Sequence, residues 1–399
     1  MTSTDRNRQR LTLILTAFVM LLPSCALGTG EATDTRSPSN PTGERLTDTT
    51  PFPSPNPALD PPTLAPSATP SAVSTIPSTT TAIETTVPGW TRHVSINEVR
   101  DLEFGPDGSL WAVTRSGLVH WDLTSDTYSR YQLTAQDIAA APDGTLWAGT
   151  TYGLCNFVPA EQSGNKESIC RNYTTRDGLI DNSVRVVAVD VDNQVWIGTD
   201  KGISRFDGQS WTNYPSPVPT ADLALGTNGE AWHATHAGIG RYSPTEDTWR
   251  TYTTESGLPE TNAQVVATGP DGQVWAYIPW QGMFRLTDAG AEEDEIWLRV
   301  DEAPGGLVGD ISFSVTGTPW AATIGSLHYR GGSLAFHDGE AWIETSSESG
   351  LTPLGALAAG PDGQMAASTS QGPAVYDEGE WRLLRDGPAH DEAKSIAVT

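Results

Sequence analysis

Positive charge is scarce in this chain: 23 lysines and arginines stand against 49 aspartates and glutamates, for a net charge of -26 over 399 residues. Such a surface repels nucleic acid and anionic lipid and suits neutral sugars, cationic ligands or divalent cations. The acidic residues are spread along the chain, which also fits the plainer role of keeping a tryptophan-rich protein soluble. Cysteine is scarcer still, with three residues, one of them (Cys25) in the N-terminal leader. Long apolar runs are missing too. The run from Leu11 to Leu22 is too short to span a bilayer as a mature anchor. Neither a nucleophile elbow nor a phosphate-cradling glycine loop occurs, so no cofactor is expected.

Residues 1–27 read as an export signal, with Arg6, Arg8 and Arg10 ahead of the apolar run. The run ends Leu22-Pro23-Ser24-Cys25, which resembles the lipobox of bacterial lipoproteins and makes Cys25 the expected lipidation site; Ser24-Cys25-Ala26 also suits ordinary secretory cleavage. Residues 28–88 turn to Thr, Ser and Pro with hardly an aromatic, and no core can form from them. The expectation is a disordered linker, or a stalk reaching at most about 190 Å at ~3.1 Å per residue. The chain is therefore expected on the extracellular face of a bacterial membrane, lipid-anchored, or secreted.

From 89 to 399 one pattern recurs, clearest at 178–214: an apolar run, a two-residue turn at Asp192-Asn193, a second run around Trp196, a turn at Gly202, and two further runs joined at Asp207-Gly208. Strands joined by Asp/Asn/Gly turns pair with their sequence neighbours, so each copy predicts a four-stranded antiparallel meander. A meander this small cannot bury its two faces alone and must stack on copies of itself. The tryptophan of the second strand returns as Trp111, Trp147, Trp196, Trp232, Trp275 and Trp320, with Ala366 in the last copy, at spacings of 36 to 49 residues. That period is the range of propeller blades. First strands rich in Ala, Val and Gly belong at the central channel, where only small side chains fit. Fourth strands carry a second aromatic (Trp211, Trp249, Trp297, Trp342, Trp381), replaced by Tyr128 and Cys170 in two copies. The fold class expected is an all-β propeller of seven four-stranded antiparallel blades, with eight as the alternative, since a fourth-type strand at 89–93 (Trp90) precedes the copies and a first-type strand at 394–399 follows them.

The run DGLIDNSVRVVAVDVDNQVWIGTDKGISRFDG, at 177–208, resembles the two-component regulator propeller repeat, found in the periplasmic sensor halves of hybrid histidine kinases and in stand-alone secreted proteins. The resemblance implies a propeller and leaves the ligand open. No transmembrane or kinase segment follows the repeats, so binding without an attached kinase is expected.

Loops joining fourth to first strands, and second to third, emerge on one face of a propeller. The first set offers Asp177, Asp181, Asn182, Glu255 and Asn262; the second offers Tyr152, Lys201, His236, Trp280, and an insertion with His328, Tyr329 and Arg330. Polar groups interleaved with aromatics around a concave mouth suit a glycan or peptide ligand, or a surface protein partner. His233 and His236 form an H-x-x-H, but strand alternation sends positions three apart to opposite faces, and no metal is expected. Asp190, Asp192 and Asn193 are read as turn chemistry in preference to a calcium site. Non-catalytic binding is the leading reading; a propeller lyase or hydrolase using the same face, or a structural assembly protein, are the rivals. Cys155 and Cys170 lie on third and fourth strands of one blade, on the same face and diagonal, and a disulfide between them is expected.

Overall fold

The computed structural model describes residues 72–76, 78–79, 98–160, 167–287, 295–325 and 332–384. The leader with Cys25, the strands expected at 89–93 and 394–399, and the insertion residues His328, Tyr329 and Arg330 lie outside the described residues.

Each blade is set up by its first turn. In the third, which comprises Val184–Val189, Val195–Thr199, Gly202–Phe206 and Trp211–Pro215, Asp190 Oδ1 accepts the backbone N–H groups of Asp192 (2.9 Å) and Gln194 (2.8 Å), while Asn193 takes φ 61°. A short carboxylate that bonds its own backbone two residues on is what closes such a turn. It also gives the Asp190 carboxylate its place in the turn. The Pro-Asp-Gly copies repeat the device: Asp107, Asp143 and Asp271 accept from the N–H of Ser109, Thr145 and Gln273 at 3.0, 2.9 and 3.2 Å.

The outcome is seven sheets in which four strands pair antiparallel in chain order, at 99–131, 137–173, 184–215, 222–252, 265–299, 307–344 and 353–383, here blades 1 to 7. The ring closes with seven blades, the inner strand of blade 7 packing on that of blade 1. Single helical turns, Thr254–Ser256 and Ser346–Ser349, sit in two of the connections between blades.

Among the described residues there is no common core. The buried apolar residues fall into seven clusters, one at each junction between neighbouring blades. The second-strand tryptophans face the next blade, and in blades 1, 2, 3 and 6 the ring meets an aromatic from the end of that next blade's third strand. Trp111 meets Phe157 at 5.9 Å, Trp147 meets Phe206 at 6.1 Å, Trp196 meets Tyr242 at 5.1 Å, and Trp320 meets Tyr376 at 5.1 Å. Each buried tryptophan removes ~150 to 250 Å² from water, a gross gain of about 4 to 6 kcal/mol. Between blades 7 and 1 the order is inverted. Ala366 holds the tryptophan position, and Trp121, 2% exposed, fills the gap from the partner position, so the large ring has changed sides and the seam stays packed.

Blade 2 carries a disulfide between Cys155 and Cys170, Cα atoms 5.5 Å apart. Cys155 stands opposite Asn172 and Cys170 opposite Phe157, which makes the bonded pair diagonal neighbours across the two outer strands. Two short segments of the Thr/Ser/Pro-rich stretch also form strands. Ala72–Ile76 pairs antiparallel with the outer strand of blade 2, and Ser78–Thr79 with that of blade 1. Outer edges present unpaired N–H and C=O groups, and the added strands cover two of them.

Candidate functional site

In five blades the second and third strands are joined by Thr-x-x-Gly, and the threonine builds the turn. The Oγ1 atoms of Thr114, Thr150, Thr199, Thr235 and Thr369 each donate to the carbonyl of the glycine three residues on, at 2.6 to 2.9 Å. Each also accepts the N–H of the residue before that glycine, as Thr199 does from Lys201 at 3.1 Å. The glycine is obligatory. Gly202 has φ 124°, and a Cβ there would lie 2.2 Å from the carbonyl oxygen of Tyr214 on the outer strand. The turn is thereby rigid, and its middle pair projects from one face of the ring: Arg115-Ser116, Thr151-Tyr152, Asp200-Lys201, His236-Ala237 and Ser370-Gln371.

Blade 5 departs from this rule. Ile278 replaces the threonine, the turn is one residue longer, and Trp280 adopts φ 66°. A bulky residue in the left-handed region is strained, and here its ring gains no burial in return, being 72% exposed. Tyr152 of blade 2 is 80% exposed. The expected residues Tyr152, Lys201, His236 and Trp280 thus form an arc over four consecutive blades, with exposed aromatics at its two ends.

The inter-blade loops divide into builders and presenters. Asp177 accepts from Thr174 N–H and Oγ1 at 2.7 and 2.9 Å, and Asn182 Oδ1 accepts from Thr175 N–H at 2.8 Å, so both shape the loop from blade 2 to blade 3. In that loop Gly178 (φ 119°) passes within 2.5 Å of the Trp211 ring, measured from an added Cβ, and Leu179 is buried. Asp181 pairs with Lys201 at 3.5 Å, which ties this loop to the blade 3 turn. Thr261 Oγ1 donates to the His236 carbonyl at 3.0 Å and brings the neighbouring, exposed Asn262 to the blade 4 turn. Glu255 is exposed on the single helical turn, whose N-cap is Thr253.

Residues 178–201 match the two component regulator propeller model. The segment runs from the Gly178 loop to the Lys201 turn and so contains the geometry just described. Comparison with curated proteins gives no match. Among solved structures, the chain is similar to the extracellular domain of a protein assigned to a hybrid two component system from B. thetaiotaomicron, at 19% identity and TM-score 0.54, covering 71% of this chain and 39% of that one. It is also similar to virginiamycin B lyase from Staphylococcus aureus with quinupristin (13% identity, TM-score 0.53, 71% and 96% covered) and to YCF48 bound to D1 peptide (15%, 0.52, 74% and 95%). At these identities the likeness is one of fold. This chain spans less than half the length of the regulator structure. No helix among the described residues is long and apolar enough to cross a membrane.

The two histidines in blade 4 part company because the strand ends at Thr235, between them. His236 is exposed in its turn, and His233 points into the junction with blade 3. Among the described residues no three metal-ligating side chains cluster.

Sequence reading assigned the inner strands by their small residues and passed over their aspartates. Asp101, Asp137, Asp222 and Asp310 occupy one register position in blades 1, 2, 4 and 6, and each reaches the next blade. Asp101 accepts from Ile138 N–H at 2.8 Å, Asp137 from Val187 at 2.6 Å, Asp222 from Val266 at 2.8 Å and Asp310 from Leu357 at 2.8 Å. Blades 3, 5 and 7 have Val186, Val265 and Ala356 there and make no such bridge. A recurring Asp followed by Leu or Ile at the head of a first strand was the available signal.

Burial in the ring pushes these carboxyls up, Asp101 and Asp222 to about 6, against the opposing pull of their backbone N–H partners. Asp137 and Asp310 are raised well above the carboxylate range, by burial first and by neighbouring carboxylates second. Glu103, beside Asp101, is pushed up to about 8 by burial and by the Asp101 charge.

Three cavities coincide with the three junctions that lack an aspartate bridge. One of about 590 Å³ lies between blades 5 and 6 on the face opposite the arc, with Trp275, Arg285, Arg299 and His337 in its walls. One of about 220 Å³ lies between blades 7 and 1, beside Arg382 and Asp107. The third, about 320 Å³, lies between blades 3 and 4 and opens on the arc face.

Proposed function

We propose that this protein is an exported, lipid-anchored propeller that binds an extracellular glycan, peptide or surface protein through the turn arc, without catalysis. The observation that carries this reading is Trp280: a strained backbone and a solvent-exposed indole both cost stability, and a site that retains both is explained by what it contacts. Tyr152 at the other end of the arc, with Lys201, Asp181 and His236 between, gives the mixture of ring faces and hydrogen-bonding groups that a sugar or an extended peptide needs. Tyr329 and Arg330 are proposed to extend the rim on blade 6. The leader ending at Cys25, with the Thr/Ser/Pro-rich stretch beyond it, supports display outside a bacterial membrane.

Glycan and peptide arrays probed with wild type and with a Tyr152→Ala/Trp280→Ala double variant test the arc. Hits lost by the double variant at unchanged melting temperature are expected, and hits retained in full would refute it. For the anchor, Cys25→Ala should move the protein from the membrane fraction to the medium; continued membrane association of that variant would rule out acylation there.

A further inference from the structure

The cavity between blades 3 and 4 owes its shape to one cross-strand pair. In blades 1, 2 and 3 the pair facing the preceding blade is Ala112 with Val119, Ala148 with Cys155, and Ile197 with Ser204. In blade 4 it is His233 with Gly240. The imidazole lies over the glycine so closely that a Cβ there would come 2.0 Å from Nε2. Its ring meets Trp249 edge-on at 4.7 Å. What remains between the blades is a recess of about 320 Å³, walled by Tyr214, Trp249, Pro217 and Val218.

Its polar content is small and specific. His233 Nδ1 and Trp249 Nε1 are buried and have no hydrogen-bond partner among the described residues; the indole N–H is left so at Trp211, Trp297 and Trp342 as well, and the histidine is the group particular to this recess. Buried polar groups are normally paired, and orphans beside a recess point to an absent partner. Burial pushes the imidazole down to about 4, so the ring is uncharged at neutral pH. Neither a carboxylate nor a lysine or arginine lines the recess, which therefore offers nothing to compensate a buried ligand charge. The apolar cluster at this junction, with six buried residues against twelve between blades 4 and 5, leaves the space open.

We propose that this recess is a binding site for an uncharged aromatic molecule bearing a hydroxyl, its ring packed on Tyr214 and Trp249 and its hydroxyl bonded to the His233 imidazole. A hydroxyl both donates and accepts, so it suits either neutral tautomer of the histidine. The recess accommodates one or two fused rings. Its entrance lies between the Pro217 and Val218 loop and Ala237, on the arc face, but it uses neither Tyr152 nor Trp280 and stands independently of the arc.

The test is titration of the full chain with p-cresol and with p-xylene, which replaces the hydroxyl by a methyl group of similar size, followed by saturation-transfer NMR. Saturable p-cresol binding is expected at low-millimolar concentration, about 5-fold or more tighter than p-xylene, the factor carried by one net hydrogen bond. Val218→Trp, which fills the recess from a half-buried loop position, should abolish binding. His233→Phe should level the two ligands, and Tyr152→Ala should change neither. Should His233→Phe fail to fold, Val218→Trp and the ligand pair decide by themselves. Absence of saturable p-cresol binding up to about 20 mM, equal affinity for p-xylene, or undiminished binding by Val218→Trp would each overturn the assignment.

Discussion

Replacing Glu103 by glutamine should remove a pH-dependent weakness of the ring. Glu103 stands beside Asp101 on the inner strand of blade 1, its one backbone contact the long 3.5 Å bond from Ala140 N–H. Burial and the Asp101 charge raise its carboxyl to about 8 from an ordinary 4.5. A carboxyl raised on folding favours the native state while it is protonated. That contribution is complete below the unfolded value near 4.5 and is lost as the pH climbs through about 8. At ~1.36 kcal/mol per pH unit the full shift corresponds to about 5 kcal/mol. The side chain is only half-buried and faces the channel, whose water screens part of this, so about 2 kcal/mol is expected between pH 5 and 9. With unfolding entropy near 2.1 cal/mol/K per residue, that is about 3 to 4 °C for a propeller of this length.

The assay is calorimetric melting of wild type, Glu103→Gln and Asp222→Asn at intervals from pH 5 to 9. Relief of general acidic repulsion tilts all three curves alike. Glu103→Gln alone should lose the extra slope between about pH 5 and 8, becoming the more stable protein at the alkaline end. Asp222, raised only to about 6, should change the curve below that value and not above it. If the Glu103→Gln and wild-type curves run parallel from about pH 5 to 8, the carboxyl is not held protonated in the ring and the argument from burial fails.

Two further outcomes follow from the turns and the outer strands. Trp280→Gly should raise the melting point, because relief of a left-handed backbone is worth roughly 1 kcal/mol at a non-glycine residue, while array binding is lost; a lower melting point would show the indole to be packed. Removing the Cys155–Cys170 bond by double alanine substitution should cost about 3 kcal/mol in denaturant titration, the chain-entropy value for a loop of 15 residues, and alkylation of unreduced protein should label neither cysteine.

The blades were legible because turn chemistry and strand alternation are local. Asp190 with Asn193, the Pro-Asp-Gly turns and the recurring tryptophans each act within a few residues of themselves, and the structure uses them where the pattern put them. Leu179 and Leu258, which follow the loop glycines Gly178 and Gly257, are 2% and 3% exposed and so anchor those loops in the core. The partition of the loop residues was less legible. Asp177 and Asn182 look in sequence like ligand-binding groups, yet they spend their oxygens on Thr174 and Thr175, because a loop's hydrogen-bond needs appear only once its path is known. The inter-blade bridges were hidden for a different reason. Asp101 and Ile138 lie 37 residues apart, and an aspartate within an otherwise small and apolar strand gives no local clue to a partner on the next sheet. The pairing of His233 with Gly240 is of the same kind: the glycine reads as a turn or bulge, and only the neighbouring strand shows it as room for a ring.

The placement of the four aspartate bridges also has a mechanical side. They couple blades 1, 2 and 3 into one block, 4 and 5 into a second, and 6 and 7 into a third. A load on the ring, as from a wedged ligand, meets inner strands hydrogen-bonded across each joint within a block, whereas between blocks the inner strands lack that bond and the ties lie farther out, Arg205–Tyr242 and Tyr214–Asp247 at 3–4 and Arg382–Asp126 at 7–1. Deformation should therefore concentrate at three hinges and leave seven blades individually rigid. Amide exchange would register this as earlier opening at the 3–4, 5–6 and 7–1 joints, and anything lodged in a gap there would act as a splint.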